Sequence, residues 1–574
     1  MIDIQQRPLG DTSQFSDQTP AILQRLYAAR GVYSEAQFPR SLGQLHGFDS
    51  FVGMSQAITL LAQAVKEQWR IMVVGDFDAD GATSSALSVL ALRMLGAKRV
   101  DYLVPNRFDD GYGLSPEVVA QVEARGADLI MTVDNGVSSI AGVNAAHQAG
   151  MKVLVTDHHL PGDVLPAADA MVNPNLNDCG FPSKSLAGVG VAFYVMLALR
   201  AHLRQDDWFA QQGISEPNLA ELLDLVALGT VADVVALDDN NRILVHQGLA
   251  RIRAGKCRPG IQALIEVSNR EAGRLVASDL GFALGPRINA AGRLDDMSFG
   301  VELLLTAHIE AARRMASELD ALNQTRKEIE AGMKQEALAL CQQLTLNEAS
   351  LPCGLTLFQR DWHQGVIGIL ASRIKEQFHR PVIAFADAGD GLLKGSARSI
   401  AGLHMRDTLE QVDRLHPGLI VKFGGHAMAA GLSIAQEQYQ AFSKAFDQAV
   451  SEQLGEDHLK GVMVTDGALQ ADEFNLATAH LLRQGGPWGQ GFPEPLFDGE
   501  FKLIQQRLVG QKHLKMMLEP KAGGAPVDAI AFNVDLARWP DLSVKQVRLV
   551  YRLDINLYRG NESLQLLVEH IEVL

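Results

Sequence analysis

Val73-Val74-Gly75-Asp76-Phe77-Asp78-Ala79-Asp80-Gly81 is an apolar run that stops in three alternating aspartates and a glycine. Read as the end of a buried strand, it places the carboxylates at the rim where parallel α/β sheets gather their ligands. Alternation suits that reading, because residues two apart on an extended chain point the same way and can share one cation. The rivals are an Asp-rich turn and a calcium loop, but the glycine and closing glutamate of an EF-hand do not fall at the required spacing. The stretch predicts a metal site on a parallel sheet.

The surroundings repeat the pattern. From about Gln68 to Val235 short apolar runs, such as Arg70 to Gly75, Asp128 to Val133 and Lys152 to Thr156, alternate with amphipathic stretches, as in a parallel sheet with crossover helices. Three further runs carry ligand types. Thr132-Val133-Asp134-Asn135-Gly136 puts an aspartate after a buried strand, although Asp-Asn-Gly is also a common turn. Leu154-Val155-Thr156-Asp157-His158-His159 brings two imidazoles to another strand end, which suits manganese, iron or zinc as well as magnesium. Gly229-Thr230-Val231-Ala232-Asp233-Val234-Val235 buries a lone aspartate, which needs a cation or donors to offset its desolvation. Each run has a bland alternative, yet all four put acidic or imidazole groups at strand ends of one region. Five carboxylates and a histidine exceed what one ion with open positions takes, so two cations bridged by one carboxylate are expected, a geometry that serves phosphoester hydrolysis.

At 574 residues and 47% hydrophobic content the chain is too long for one core and implies several domains. No apolar run reaches the length of a membrane span and Met1 to Gly10 lack the order of a signal peptide, so a cytoplasmic protein is expected. Cys179, Cys257, Cys341 and Cys353 have neither disulfide-framework nor zinc spacing. The net charge of −16 excludes a general nucleic-acid coat and confines any contact with a strand to a local groove.

Beyond the metal region, Leu303, Ala312, Met315, Leu319, Leu322, Ile329, Met333 and Leu338 recur at near-helical spacing and predict one long helix over 301–345. A second mixed α/β region follows, with glycine-rich stretches from Trp362 to Gly368, Lys394 to Arg398 and Gly424 to Gly431. After Glu456 six strand-length runs, beginning with Gly461 to Thr465, fit a small OB-type β-barrel.

The ordered set Asp-x-Asp-x-Asp-Gly, Asp-Asn-Gly, Asp-His-His and Ala-Asp-Val resembles the four motifs of the DHH phosphoesterase superfamily. Leu284-Gly285-Pro286-Arg287-Ile288-Asn289-Ala290-Ala291-Gly292-Arg293 resembles its single-strand-specific exonuclease branch. So do Trp362-His363-Gln364-Gly365-Val366-Ile367-Gly368, Gly395-Ser396-Ala397-Arg398-Ser399, Gly424-Gly425-His426-Ala427-Met428-Ala429-Ala430-Gly431 and the late stretch from Gly486 to Pro495. The resemblance implies an N-terminal segment (1–45), a parallel-sheet DHH catalytic domain (46–300), the connecting helix (301–345), a smaller α/β DHH-associated domain (346–456) and a C-terminal OB-fold domain (457–574).

It also implies a 5′-to-3′ exonuclease of single-stranded DNA using two divalent cations, Mn2+ or Mg2+. Asp78 and Asp80 would hold separate ions, Asp134 would bridge them, His158 and Asp233 would add ligands, and Asp76 would stand beside this set. Asp157 would orient the histidines and His159 would meet the scissile phosphate, with Arg287, Asn289 and Arg293 as candidates for offsetting its charge. Arg107, Ser396 and Arg398 would hold a 5′-phosphate, Tyr112 would stack on a base, and His363 and His426 would touch the strand or cap turns. Val74 departs from the family, which often has a histidine ligand there. A single-strand-binding protein and a helicase are the expected partners of a monomer, with no membrane involved. The alternatives are a DHH phosphodiesterase of short oligonucleotides or cyclic dinucleotides, and a non-catalytic scaffold.

Overall fold

The computed structural model describes residues 2–108, 110–348 and 351–574. The chain divides into two compact units: Gln5–Asn289 with Asp296–Leu319 and Val464–Leu574, and Met1–Ile4 with Ala290–Asp295 and Asp320–Met463.

The larger unit contains a parallel sheet of β1 (Ile71–Val74), β2 (Val100–Leu103), β3 (Leu129–Val133), β4 (Lys152–Thr156) and β5 (Ala170–Val172) in the order β2-β1-β3-β4-β5. Every residue of β1 and β3 is buried, as is every residue of β4 except Lys152, because helices cover both faces and alternation is not needed. The order reverses between β1 and β3, and the crevice beyond the carboxyl ends of such a pair is where ligands sit in open α/β sheets. The chain leaving β1 enters α1 (Ala79–Met94), which packs with α2 (Gly188–Gln205) and α3 (Leu223–Ala232). Small residues of α1, such as Ala82, Ser84, Ser85, Ala86 and Ser88, are all buried and permit that close approach. Beyond them lie α4 (Asp239–Arg253) and, after a π-helical turn at Leu280–Leu284, α5 (Gly285–Leu294).

Two local readings of the sequence are corrected. The strand stops at Val74, and Asp78 is the N-cap of α1, its Oδ1 accepting from the Asp80 and Gly81 amides at 2.9 and 3.0 Å. The aspartates therefore do not alternate on an extended strand; the preference of Asp for a helix N-cap overrides that pattern. The run before Asp233 is likewise no strand but α3, whose residues Leu223 to Thr230 are all buried. A continuous apolar run has this ambiguity, since a helix buried on every side loses its amphipathic period.

The expected 301–345 helix is in fact two. One spans Ser298–Leu305 and ends where Thr306 turns extended, and α6 then runs Ile309–Glu348. In the smaller unit, β6 (Leu355–Phe358), β7 (Val382–Gly389), β8 (Leu392–Arg398), β9 (Lys422–Gly425) and β10 (Ala429–Ala435) form a mixed sheet in the order β9-β10-β8-β7-β6. Helix α7 (Ile367–Phe378) crosses from β6 to its parallel neighbour β7. The core beside it gathers Leu355, Trp362, Leu370, Ile374 and Val382 with Met333 and Ala337 of α6.

In the larger unit α8 (Leu476–Gln484) leads to a closed five-stranded barrel of β11 (Phe497–Val509), β12 (His513–Pro520), β13 (Val527–Ala531), β14 (Gln546–Tyr558) and β15 (Asn561–Val573). The sixth expected barrel strand is a strand, Val462–Thr465, but lies outside the barrel. The N-terminal segment docks where the chain approaches the barrel. Arg30 Nη2 pairs with Asp466 Oδ2 at 2.7 Å, both side chains nearly inaccessible, and Tyr27, Phe38, Trp488 and Phe492 stack together. No helix of the described residues is long and apolar enough to cross a membrane.

Candidate metal centre and substrate contacts

The ends of β1, β3 and β4 and the C-terminus of α3 bring Asp76, Asp78, Asp80, Asp134, His158, His159 and Asp233 together. Three groups of ligand atoms each lie within 4.8 Å of one another: Asp76, Asp78 and Asp134; Asp80, His158 and Asp233; and Asp134, His158 and His159. Asp134 and His158 each belong to two groups. Asp134 Oδ1 lies 3.1 Å from His158 Nε2, which lies 3.5 Å from Asp233 Oδ2. Asp76, which the motif sets beside the ligand core, falls within it.

Local structure explains these positions. Asp134 has a left-handed backbone, φ +61°, unusual for a non-glycine residue and typical of strained functional sites. Its turn is fastened by Asn135, whose Nδ2 donates to the Val74 and Val133 carbonyls. Asp80 is gripped by the N-terminus of α2, the Gly188 and Val189 amides donating to its two carboxylate oxygens at 2.6 and 3.0 Å. A Cβ on Gly188 would fall 2.6 Å from Asp134 Cβ, and one on Gly229 would fall 2.8 Å from Asp80 Oδ1, so both glycines are required by close approach. The His158 and His159 main chain is held by Asn175 and Asn173, whose side-chain amides donate to those carbonyls. None of these supports was named from the sequence; the small-residue run Gly188-Val189-Gly190 was the available signal.

Electrostatics fits cations. Burial and the neighbouring Asp78 push Asp76 up to about 8 and Asp80 up to about 7, and burial with Asp80 pushes Asp134 and Asp233 well above the carboxylate range. So many desolvated carboxyls cannot all ionise without a counter-charge. Asp134 Oδ1 and His158 Nε2 are buried 3.1 Å apart, and among the described residues neither makes a well-formed hydrogen bond, a cost that a bound cation would remove. Burial, helped by His159, lowers His158 to about 4, and its ring bonds the Leu186 backbone. Its Nε2 faces Asp134 and Asp233 at 3.1 and 3.5 Å, the side from which a neutral ring could offer a cation its lone pair.

His159 is set up differently. Burial works against its charge, but Nδ1 lies 2.7 Å from Asp157 Oδ1, and this bond and charge push the ring up to about 9. Asp157 is buried, yet the His159 bond, both histidine charges and the Val137 amide hold it below the usual range. An imidazolium thus stands beside a neutral imidazole. At its side, the Tyr112 hydroxyl lies 3.4 Å from His159 Nε2, the Tyr112 ring is exposed, and the Arg107 guanidinium lies 3.9 Å from the Phe77 ring centroid.

Among the other expected residues, Asn289 uses Oδ1 to accept the Ala79 amide at 2.8 Å, so it braces the aspartate turn. Arg287 donates to the Ala283 carbonyl, and Arg293 to Gly365 at 3.0 Å. Within the smaller unit Arg398 donates to Ser396 Oγ at 3.1 Å, and a Cβ on Gly368, near the start of α7, would fall 2.9 Å from Arg398 Nη2. A hydroxyl and a guanidinium are therefore packed closely against the start of α7. His363 Nδ1 accepts the Gly365 amide, consistent with capping, and His426 sits exposed in the β9–β10 hairpin.

The chain is similar to known proteins along nearly its whole length. Residues 70–230 match the DHH family, N-terminal domain, 351–452 the DHHA1 domain and 465–570 the RecJ OB domain. Over 568 residues the chain is 64% identical to the single-stranded-DNA-specific exonuclease RecJ of Dickeya dadantii (strain 3937), covering 99% of this chain and 98% of that protein. The crystal structure of RecJ from Thermus thermophilus in complex with Mn2+ matches with a TM-score of 0.80 at 28% identity, covering 100% of this chain and 79% of that one. The corresponding Mg2+ complex matches with a TM-score of 0.74 at 27% identity, covering 99% and 78%.

Proposed function

The chain belongs to the RecJ family of DHH phosphoesterases and is a single-stranded-DNA-specific exonuclease, and we propose that it works from the 5′ end with two divalent cations, Mn2+ or Mg2+, held by Asp76, Asp78, Asp80, Asp134, His158 and Asp233. The observation that carries the assignment is the position of buried Asp134, grouped with Asp76 and Asp78 on one side and 3.1 Å from His158 Nε2, which itself groups with Asp80 and Asp233, on the other. When bound, such cations activate a water near neutral pH and neutralise charge on the phosphoryl and departing oxygens.

The remaining work falls to side chains of the chain itself. Asp157 keeps His159 protonated and oriented, and the imidazolium meets the scissile phosphate as negative charge builds on it. Arg107 adds positive charge near Asp76 and Asp78, and Tyr112 offers its exposed ring to a base, a contact that tolerates any sequence. Asn289 positions the Asp78-Asp80 turn through the Ala79 amide. Ser396 and Arg398 hold the 5′-phosphate on their own unit, and cleavage releases nucleoside 5′-monophosphates. The same reading makes the protein a cytoplasmic monomer of DNA repair and recombination, acting beside a single-strand-binding protein and a helicase, with family membership as its support.

The test is digestion of single strands labelled at one end, with Mn2+, Mg2+ or EDTA. Release of labelled mononucleotide from 5′-phosphorylated ends, lost in EDTA and slowed about tenfold by Arg398→Ala, is expected. Release from the 3′ end, or equal rates on blunt duplex, overturns the reading.

A further inference from the structure

Apart from the metal centre, the larger unit encloses a cavity of about 280 Å3 where α4, the segment from Arg270 to Asp279, α8 and strand β14 meet. Four arginines line it. Arg270 is spoken for by Asp279 at 3.1 Å, and Arg552 by Glu494 and Glu569 at 3.0 and 2.9 Å. The other two are not. Arg253 Nε donates to the Leu275 carbonyl at 2.7 Å and Arg483 Nη2 to the Arg274 carbonyl at 3.1 Å, and among the described residues neither has a carboxylate partner within ion-pair distance.

Carbonyls of consecutive residues therefore hold two guanidiniums as neighbours. Like charges held together in a partly buried cavity repel, and the arrangement is stabilised when an anion takes several of their donors at once. Burial and the adjacent Arg483 depress the Arg253 guanidinium, and Asp279, already paired with Arg270, offsets this only in part. His246 on α4 faces the same space, and the remaining carboxylate, Asp554, neighbours Glu494 on the barrel side. Leu249, Leu482 and Leu567 supply an apolar wall. The lining sets four arginines against Asp279, Glu494 and Asp554, an excess of one positive charge in a chain of net charge −16.

We infer that this cavity is a second anion site, separate from the metal centre, which takes the phosphate group of a nucleotide between Arg253 and Arg483. The phosphate can come from a free nucleoside monophosphate or from the backbone of a strand; the chemistry of recognition is the same. The guanidinium fork matches phosphate oxygens in pairs, and the volume is at the small end of ligand pockets, about right for a single nucleotide.

The experiment is calorimetric titration of the full-length protein in EDTA with dTMP, with inorganic phosphate and with a twelve-residue oligo(dT), so that nothing is hydrolysed and a failure leaves the exonuclease reading intact. Arg253→Gln with Arg483→Gln should weaken the probe about a hundredfold, about tenfold for each charged hydrogen-bonding partner. Asp134→Ala should leave this binding unchanged. Binding of dTMP and phosphate lost in the Gln pair supports the free nucleotide, and loss confined to oligo(dT) supports the strand. Equal binding of every probe by wild type and Gln pair overturns the site, as does loss in Asp134→Ala. If the Gln pair does not fold, the rise in melting temperature with dTMP or oligo(dT) in Arg398→Ala protein decides: it must be present there and lost when Arg483→Gln is added.

Discussion

Gly188→Ala tests whether the metal centre depends on the close approach of α2. The new Cβ would lie 2.6 Å from Asp134 Cβ, 2.8 Å from its Oδ1 and 2.9 Å from its Cα, so backbone as well as side chain stands in the way. That is roughly 1 Å inside ordinary carbon contact, and neither partner is the loose end of a flexible chain. Overpacking of this kind costs about 1–3 kcal/mol, partly offset by the better helix propensity of alanine, so the protein should fold with a modestly lower melting temperature. The displacement falls on Asp134, in the two ligand groups, and on the Gly188 amide that grips Asp80. A shift of about 1 Å at a reacting centre costs on the order of a hundredfold in rate. Steady-state kcat on 5′-labelled oligo(dT), beside Mn2+ affinity by calorimetry, should show that loss together with weaker metal binding. Activity and Mn2+ affinity both within twofold of wild type would refute the argument.

Without cations the folded protein holds protons on Asp76 and Asp80, at about 8 and about 7, which the unfolded chain releases at about 3.9. Stability of the EDTA-treated protein should therefore fall as pH rises from about 5 to 8, with His159 adding to the fall above about 6.5 and His158, neutral in the folded protein but not in the unfolded chain until about 6.5, opposing it below that. Saturating Mn2+ should flatten the trend in a melting-temperature series, and a flat or rising EDTA curve would contradict it. Asp157→Asn should let His159 fall from about 9 toward its ordinary value, so that at pH 8 the protonated fraction and kcat drop about thirtyfold and recover toward lower pH. An unchanged pH profile would remove His159 from its assigned role. Arg30→Ala leaves buried Asp466 with Arg7 at 3.3 Å and the Leu496 amide at 3.0 Å and should destabilise by about 1–3 kcal/mol in urea melts, whereas a loss below 1 kcal/mol would show that the N-terminal segment contributes little.

The sheet was legible because its strands are short, branched and buried on both faces, and because each ligand motif follows one of them or the helix that reads like one. The local conformation of the ligands was less legible. Asp78 and Asp80 meet their neighbours through a helix cap, and Asp233 through the end of a fully buried helix, two cases in which a strand pattern and a helix pattern coincide. Of the supports of the site, only the small-residue run around Gly188 left a trace in the sequence. Gly188 and Gly229 matter through contacts with residues more than fifty positions away in the chain, which no local period records. The N-terminal segment was passed over for the same reason: Tyr27 and Arg30 acquire meaning only against Asp466, Trp488 and Phe492.

The central claim is that Asp134 is shared by two cations. Counting bound Mn2+ by equilibrium dialysis with electron paramagnetic resonance, in wild type and Asp134→Ala, with hydrolysis of 5′-phosphorylated oligo(dT) measured on the same samples, tests it directly. The account predicts two ions in wild type, at most one in Asp134→Ala, and no hydrolysis by the variant. Two ions retained by Asp134→Ala with hydrolysis intact would contradict it.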